Sequence, residues 1–272
     1  MVRTAGHHHA GTMAHANDPF DAGCAQGPAS RIPDVPRHGD AVVAGRRIAV
    51  VGATGGIGRA LVHRLVGQGA RVAAAGTSRE RLEELSAAHP ALFVSAADFT
   101  TEGDAEAFYA EATGSLGRLD AVVNLAGTSI PGDVEKTSME TFDRVMAVNV
   151  RSTFLSCKHA LPHLRDQDGL IVNVGSLAGL RPNAAAPLYC TAKAAVAMFT
   201  RAFATQVEDR RLRVTNLTPG GTDTPFWGDR AVNRAALMSS DDVVDTIMFV
   251  LSRPAHVVVH DLQFESTGRA RA

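Results

Sequence analysis

The stretch VGATGGIG, residues 51–58, constrains what this chain can fold into more than any other. It lies between the apolar run RRIAV and the amphipathic segment RALVHRLVGQG, after which a second apolar run, ARVAAAGT, begins. Short apolar runs read as buried strands, and apolar residues three and four apart read as one face of a helix, so the segment is a βαβ unit. Gly52, Gly56 and Gly58 let the backbone turn tightly and approach a pyrophosphate, whose negative charge a helix N-terminus favours. A turn that holds no ligand is the alternative reading of this segment alone.

The rest of the chain repeats the alternation. Apolar runs recur at LFVSAAD, LDAVVNLAG, GLIVNVGS, LRVTNLTPG and HVVVHDLQF, separated by helical stretches such as SRERLEELSAAH and APLYCTAKAAVAMFTRAFATQVED. Strands buried on both faces lose polar alternation, which points to a parallel sheet sandwiched by helices. The expected fold is a single Rossmann-type α/β domain over residues 45–272, a doubly wound parallel sheet with helices on both faces. Residues 1–44 carry Gly, Pro, His and Asp without apolar periodicity and are expected to form a disordered N-terminal arm.

Composition narrows the function classes. At 272 residues with a net charge of −1, the chain suits one large domain and gives no reason to expect a nucleic acid or an anionic membrane as partner. No apolar run approaches the ~18 residues of a membrane span, and no signal-peptide core is seen. Three cysteines, Cys24, Cys157 and Cys190, make no metal-ligand spacing and suggest a reducing, cytoplasmic setting. His63, His89, His159 and His163 are scattered, so no metal is expected.

The segment PLYCTAK places Tyr189 and Lys193 four positions apart on one face of a helix. Upstream, VNV sets Asn149 inside an apolar helical stretch. A buried Asn must be hydrogen-bonded, so it is a structural satisfier or a functional group. IVNVGS brings Ser176 to the end of a strand. The second strand ends at Gly76 rather than at the Asp or Glu that NAD-binding units place against the ribose 2′-hydroxyl. Thr77 and Arg79 follow and could donate hydrogen bonds to a 2′-phosphate, which favours NADP(H) over NAD(H); solvation of a helix start is the alternative for Arg79.

From about Arg46 to its end, the chain resembles the short-chain dehydrogenase/reductase family. The glycine turn reads as GxxxGxG or GxxGxxG, the registers of the family's compact and extended branches. The ~50 residues after TPGGTDT leave no room for the substrate domain of extended members, so the compact single-domain branch is expected. Val51 replaces that branch's usual threonine, and NLAG departs from NNAG at Leu125.

The resemblance implies the following roles. Ile57 joins Gly52, Gly56 and Gly58 at the phosphates, and Asp98 and Phe99 lie by the adenine. Asn124, Ala126 and Gly127 lie on the cofactor side, as do Pro219, Gly220, Thr222 and Thr224. Ser176 and Tyr189 stand at the family's spacing, and Lys193 completes its YxxxK. The four catalytic residues are thus Asn149, Ser176, Tyr189 and Lys193. Phe226 and Trp227 open a substrate lid, for which ordinary packing is the alternative.

The chemistry accounts for these residue types. A free tyrosine has a pKa of about 10, and the Lys193 ammonium, together with the positive nicotinamide ring, is expected to draw Tyr189 down toward the working range. Tyr189 then exchanges a proton with an alcohol or carbonyl oxygen as hydride moves to or from the nicotinamide. Ser176 steadies the developing charge on that oxygen. By the resemblance, Lys193 also holds the ribose and Asn149 anchors a water chain. The expected activity is NADP-dependent interconversion of a small-molecule carbonyl and a primary or secondary alcohol by a homodimer or homotetramer. An epimerase or dehydratase with tightly held cofactor, and a non-catalytic NADP-binding scaffold, are the alternatives. The C-terminal LSRPAHVVVHDLQFES resembles the branch acting on small hydroxy acids.

Overall fold

In a computed structural model, which describes residues 43–268, the apolar runs form seven strands. These are β1 (Arg47–Val51), β2 (Arg71–Gly76), β3 (Phe93–Ala96), β4 (Ala121–Asn124), β5 (Leu170–Val174), β6 (Arg213–Pro219) and β7 (Asp261–Phe264). They form one sheet in the order β3-β2-β1-β4-β5-β6-β7, with every pair parallel. The order reverses beside β1, whose last residue, Val51, pairs with Asn124 at the end of β4. A crevice opens at such a switch point because the connections on its two sides leave in opposite directions.

The helices are α1 (Gly56–Gly67), α2 (Arg79–Ala88), α3 (Glu102–Leu116), α4 (Met139–Met146), α5 (Ser152–Ala160), α6 (Pro187–Gln206) and α7 (Ser240–Leu251). Strand alternation divides the core between the two sheet faces. Ile48 and Val50 of β1 pack with Leu61 and Leu65 of α1, Leu85 of α2 and Ile247 of α7. Ala49 and Val51 face the other way, toward Phe108 and Tyr109 of α3, Leu155 of α5 and Phe203 of α6. Burying each large side chain contributes about 1.5–3 kcal/mol, so both faces contribute to holding the sheet between its helices.

Serine caps start α2, α4 and α7, where Ser78, Ser138 and Ser239 accept hydrogen bonds from the backbone N–H groups of Arg81, Thr141 and Asp242. Helix α1, like α3, α5 and α6, has no side-chain cap, and its N-cap residue is Gly55. Its first N–H groups therefore have no side-chain acceptor, a point that bears on the site.

Two features depart from the expected elements. The arm was expected to reach residue 44, but Val43 is fully buried in the core, and its carbonyl accepts from Arg46 N–H at 3.0 Å. The expected disorder of residues 1–42 falls outside the described residues. The long helix around Asn149 is interrupted by a π-helical turn, Ala147–Arg151, between α4 and α5. Its cause is the Asn149 side chain, whose Nδ2 donates to the Val145 carbonyl at 2.8 Å, the acceptor that a regular i→i−4 bond would use.

One polar cluster ties the start of β4 to its neighbour. Asp120 is buried and accepts from Arg47 N–H at 2.7 Å, Arg47 Nε at 3.1 Å and Arg165 Nη1 at 3.2 Å. Burial alone would raise its carboxyl, but the bonds from Arg47 and Arg165 outweigh it and leave the pKa below the ordinary value. A lowered carboxylate pKa stabilises the fold above the unfolded value and loses that contribution as pH falls through the folded one. Asp120→Asn should cost on the order of 2 kcal/mol at pH 7, since it leaves two arginines without their buried partner. The loss should shrink in acid. Urea unfolding of both proteins at pH 7 and at about pH 2.5, below the unfolded carboxylate pKa, measures it, and equal stability at pH 7 would show that the cluster is inert.

Candidate active site

The glycine turn sits at the switch point. Gly52 has φ of +84°, and a Cβ there would lie 2.8 Å from Ala126 N. At Gly58 a Cβ would come within 2.2 Å of the Gly52 carbonyl oxygen. Glycine at 52 thus lets the turn lie against the end of β4, and glycine at 58 lets the first turn of α1 lie against the turn. The uncapped N–H groups of α1 then open into a cleft that runs across the C-terminal strand ends.

The cleft has two halves that share Gly52, Gly55, Leu125 and Gly127. The larger, about 840 Å³, is lined by Gly52, Gly56, Ile57, Gly58, Gly127, Ser176, Tyr189, Lys193, Pro219, Gly220, Thr222, Thr224, Phe226 and Trp227. The smaller, about 490 Å³, is bordered by Thr77, Asp98, Phe99, Ala126 and Gly127. Residues drawn from across the sequence therefore converge on one crevice.

Tyr189, in the first turn of α6, is partly buried, and Ser176 stands at the end of β5 facing the same space. Lys193 is buried one turn along α6, with Nζ donating to the Val174 carbonyl at 2.9 Å and standing 5.9 Å from the Tyr189 ring centroid. Burial lowers the Lys193 ammonium to about 8. Tyr189 moves the other way: removal from water raises its phenol, against opposing pulls from the Ser176 hydroxyl and the Arg230 charge. The expectation of a lowered tyrosine counted the positive nicotinamide ring as well as Lys193; for the protein alone, desolvation is the larger effect.

Asn149 lies beneath the cleft. Its Nδ2 also donates to the Thr128 carbonyl at 2.8 Å. Its Oδ1 is buried without a protein hydrogen-bond partner. A Cβ on Gly127 would lie 3.1 Å from that oxygen and 3.3 Å from Lys193 Nζ, so both groups flank the same glycine.

The turn Pro225–Trp227 forms one wall. Phe226 packs on Tyr189 with ring centroids 5.7 Å apart, and Trp227 Nε1 donates to the Thr222 carbonyl at 2.7 Å. Both rings line the cleft as well as packing, which joins the two readings of this segment.

Besides Asn149, two expected site residues are not brought into the lining. The Asn124 side chain points into a buried network, donating to Asn173 Oδ1 at 2.7 Å and accepting from Ser156 Oγ at 2.5 Å. Arg79 is exposed at the start of α2 and borders neither half of the cleft. Arg81, two residues on, does border it, with Nη1 3.5 Å from the Thr54 carbonyl. Nothing in the sequence separated Arg81 from Arg79 except helical phase, since 79 and 81 lie on different sides of α2. Arg230, also unforeseen, borders the larger half beside Phe226 and Trp227.

The arrangement suits a nicotinamide nucleotide: a donor-rich helix start lies at one point, and a phenol with a buried amine lies further along the same crevice. No group of three or more His, Cys, Asp or Glu side chains placed to hold a metal occurs among the described residues, and none of their helices is long and apolar enough to cross a membrane.

The sequence profile of the short chain dehydrogenase family matches residues 46–235. A 2-(R)-hydroxypropyl-CoM dehydrogenase from Xanthobacter autotrophicus is 38% identical over 234 residues, covering 78% of this chain and 94% of that protein. An uncharacterized oxidoreductase from Staphylococcus epidermidis is 30% identical over 220 residues, covering 79% of this chain and 95% of that one. A short-chain dehydrogenase/reductase variant from Serratia marcescens superposes with a TM-score of 0.76 at 28% identity, covering 83% of this chain and 98% of its own. The chain is thus an oxidoreductase, and it belongs to the short-chain dehydrogenase family.

Proposed function

We propose that this protein is an NADP-dependent oxidoreductase that interconverts a carbonyl compound and an alcohol, with Tyr189 as general acid and base. The observation that carries the reading is Tyr189 opening, beside Ser176 and buried Lys193, into the cleft that contains the uncapped start of α1.

The N–H groups at Gly56, Ile57 and Gly58 would hold the pyrophosphate, with Thr222 and Thr224 on its flank. Asp98 and Phe99 would border the adenine, and Pro219, Gly220 and Gly127 the nicotinamide half. That group supplies or accepts a hydride when bound. Tyr189 Oη gives its proton to the substrate oxygen in reduction and takes one in oxidation. Ser176 Oγ donates to the same oxygen as charge develops on it. Lys193 holds the ribose, one helical turn along α6 from Tyr189. Asn149 Oδ1 is the acceptor left for a water that relays protons.

The preference for NADP rests on position 76 and on Arg81. A Cβ on Gly76 would lie 2.6 Å from Thr54 Oγ1, so the threonine fills the space where a carboxylate would start. Nothing acidic then meets a 2′-phosphate. Thr77 and Arg81 border the cleft there, and among the described residues no carboxylate forms a salt bridge with Arg81. Arg81 takes the part first assigned to Arg79. A catalytic assembly as a homodimer or homotetramer remains part of this proposal.

Three outcomes follow. NADPH should bind at least ~10-fold tighter than NADH, or ~1.4 kcal/mol. Arg81→Ala should erase most of that ratio and Arg79→Ala should not. Nicotinamide fluorescence titration reads both, and an NADH preference in the wild type would remove the 2′-phosphate assignment.

Tyr189→Phe should lower carbonyl reduction at least ~100-fold while leaving NADPH affinity nearly unchanged. A variant keeping more than about a tenth of the rate would exclude Tyr189 as the acid. Because its pKa is raised, the phenol stays protonated through neutral pH. Reduction should therefore be flat from about pH 6 to 8, and alcohol oxidation should climb with pH.

Lys193 gives a stability test. Its folded pKa of about 8 lies below the unfolded value, so between the two the unfolded chain binds more protons and stability rises with pH. Lys193→Met removes a buried charge that is unfavourable at pH 7. Calorimetry should find its Tm equal to or above the wild type's while turnover is lost. A Tm several degrees lower would make Lys193 a structural residue.

A further inference from the structure

Arg230 is the cation in the substrate half of the cleft that the proposed chemistry leaves unused. It is half-buried, and its guanidinium carbon lies 5.0 Å from the ring centroids of both Phe226 and Trp227. Nε donates to the Trp227 carbonyl at 2.8 Å, and Nη2 donates to the Phe226 carbonyl. The side chain is thus fixed by two backbone acceptors and two aromatic faces. Among the described residues no hydrogen bond engages Nη1.

The other charges of this half are accounted for. Arg181 is bonded through both terminal nitrogens to Glu265, at 2.8 and 2.9 Å, which cancels its charge. Lys193 is buried beneath Tyr189. Among the described residues no carboxylate forms a salt bridge with Arg230. Its field reaches the reacting group, since it is one of the influences that favour the Tyr189 phenolate. Tyr189, Phe226 and Arg230 follow one another along the wall, with 5.7 Å between the two rings and 5.0 Å from Phe226 to the guanidinium. A half-buried, immobilised guanidinium without a counter-ion is costly unless a ligand supplies the charge. Guanidinium donors match the planar oxygens of a carboxylate, and a sulfonate offers the same acceptor chemistry.

We propose that Arg230 selects substrates that carry an oxyanion, carboxylate or sulfonate, a short spacer away from the carbonyl or alcohol carbon. The substrate class is a small oxo acid and its hydroxy-acid partner. This deepens the oxidoreductase reading above and rests on it.

The test compares acetoacetate and 4-oxopentanoate with their methyl esters, and with the oxosulfonate of matching length, using full-length enzyme and NADPH. Wild-type kcat/KM should favour each anion over its ester by about 30-fold, the scale of hydrogen bonds to a charged group. Arg230→Gln should reduce that ratio to below about threefold, chiefly through KM for the anions, and Arg230→Lys should restore part of it. The order of carboxylate and sulfonate identifies which oxyanion the wall accepts. Esters used as well as the acids by the wild type, or an equal fall for acid and ester in Arg230→Gln, would overturn the proposal. In the second case the residue acts only on the lid or on Tyr189.

Calorimetric titration of the same acids into enzyme with NADP+ separates the two readings. If no compound is turned over, yet the acids bind the wild type and fail to bind Arg230→Gln, the reductase reading falls and the anion site stands. If neither protein binds the acids, the anion site falls whatever the esters do.

Discussion

The contact between Gly58 and the Gly52 carbonyl is the constraint on which the rest of the molecule depends. A Cβ at 58 would lie 2.2 Å from that oxygen, so α1 reaches its place against the end of β1 only without one. The N-cap of α1 is Gly55, which has no side chain to cap it. The close contact also fixes where the crevice opens, because β2 and β4 flank β1 on its two sides. An ordinary cap of the kind Ser78, Ser138 and Ser239 provide would satisfy the helix start internally. At α1 the donors are instead left to whatever enters the cleft.

Beneath that crevice lies a set of buried polar groups whose costs differ. Asn124, Asn173, Ser156, Tyr109 and Thr200 satisfy one another through short bonds and behave as a closed unit. Asn149 and Lys193 are not closed in this way. Asn149 keeps a buried oxygen without a protein partner, and Lys193 has a single carbonyl acceptor and no carboxylate. Buried groups left partly unsatisfied weaken a fold, and they are characteristic of places where structure has yielded to chemistry. The π turn belongs to the same pattern, since the Asn149 amide takes a helical acceptor to hold its position.

Much of this was legible in the sequence because it depends on local pattern. The seven apolar runs, the glycine turn and the Ser176, Tyr189 and Lys193 spacing each follow from periodicity or from a match along the chain. The rest depends on where side chains turn once the chain is folded. Arg79 and Arg81 are equally basic in the sequence, and only the start of α2 decides that Arg81 reaches the glycine turn. Asn124 carries the residue type expected at a cofactor edge, yet Ser156 and Asn173 capture it from below. Val43 has no apolar periodicity around it and still seals the core, because the turn before β1 folds it inward. Arg230 follows a Gly-containing loop with no periodic signal at all. Its importance comes from an absent partner, and a sequence cannot show an absence of contacts.

The paired shifts of Tyr189 and Lys193 give the site a direction. Burial raises one and lowers the other, so both are driven toward their uncharged forms. A neighbouring ammonium can stabilise a phenolate only while it keeps its own proton, and here that hold weakens above about 8. Lys193 alone therefore does not make Tyr189 a base near neutrality. The phenol is ready as an acid, and it is poised to donate a proton without any prior ionisation. On the proposed reading, the protein alone is preorganised for carbonyl reduction. Oxidation needs extra positive charge near the phenol. Of the cations on the cleft wall, the one whose field helps is Arg230, and an anionic substrate would neutralise it. An oxyanion bound there removes one of the two influences that favour the phenolate, so the substrate's own charge would reinforce the acid form of Tyr189 and bias the site further toward reduction.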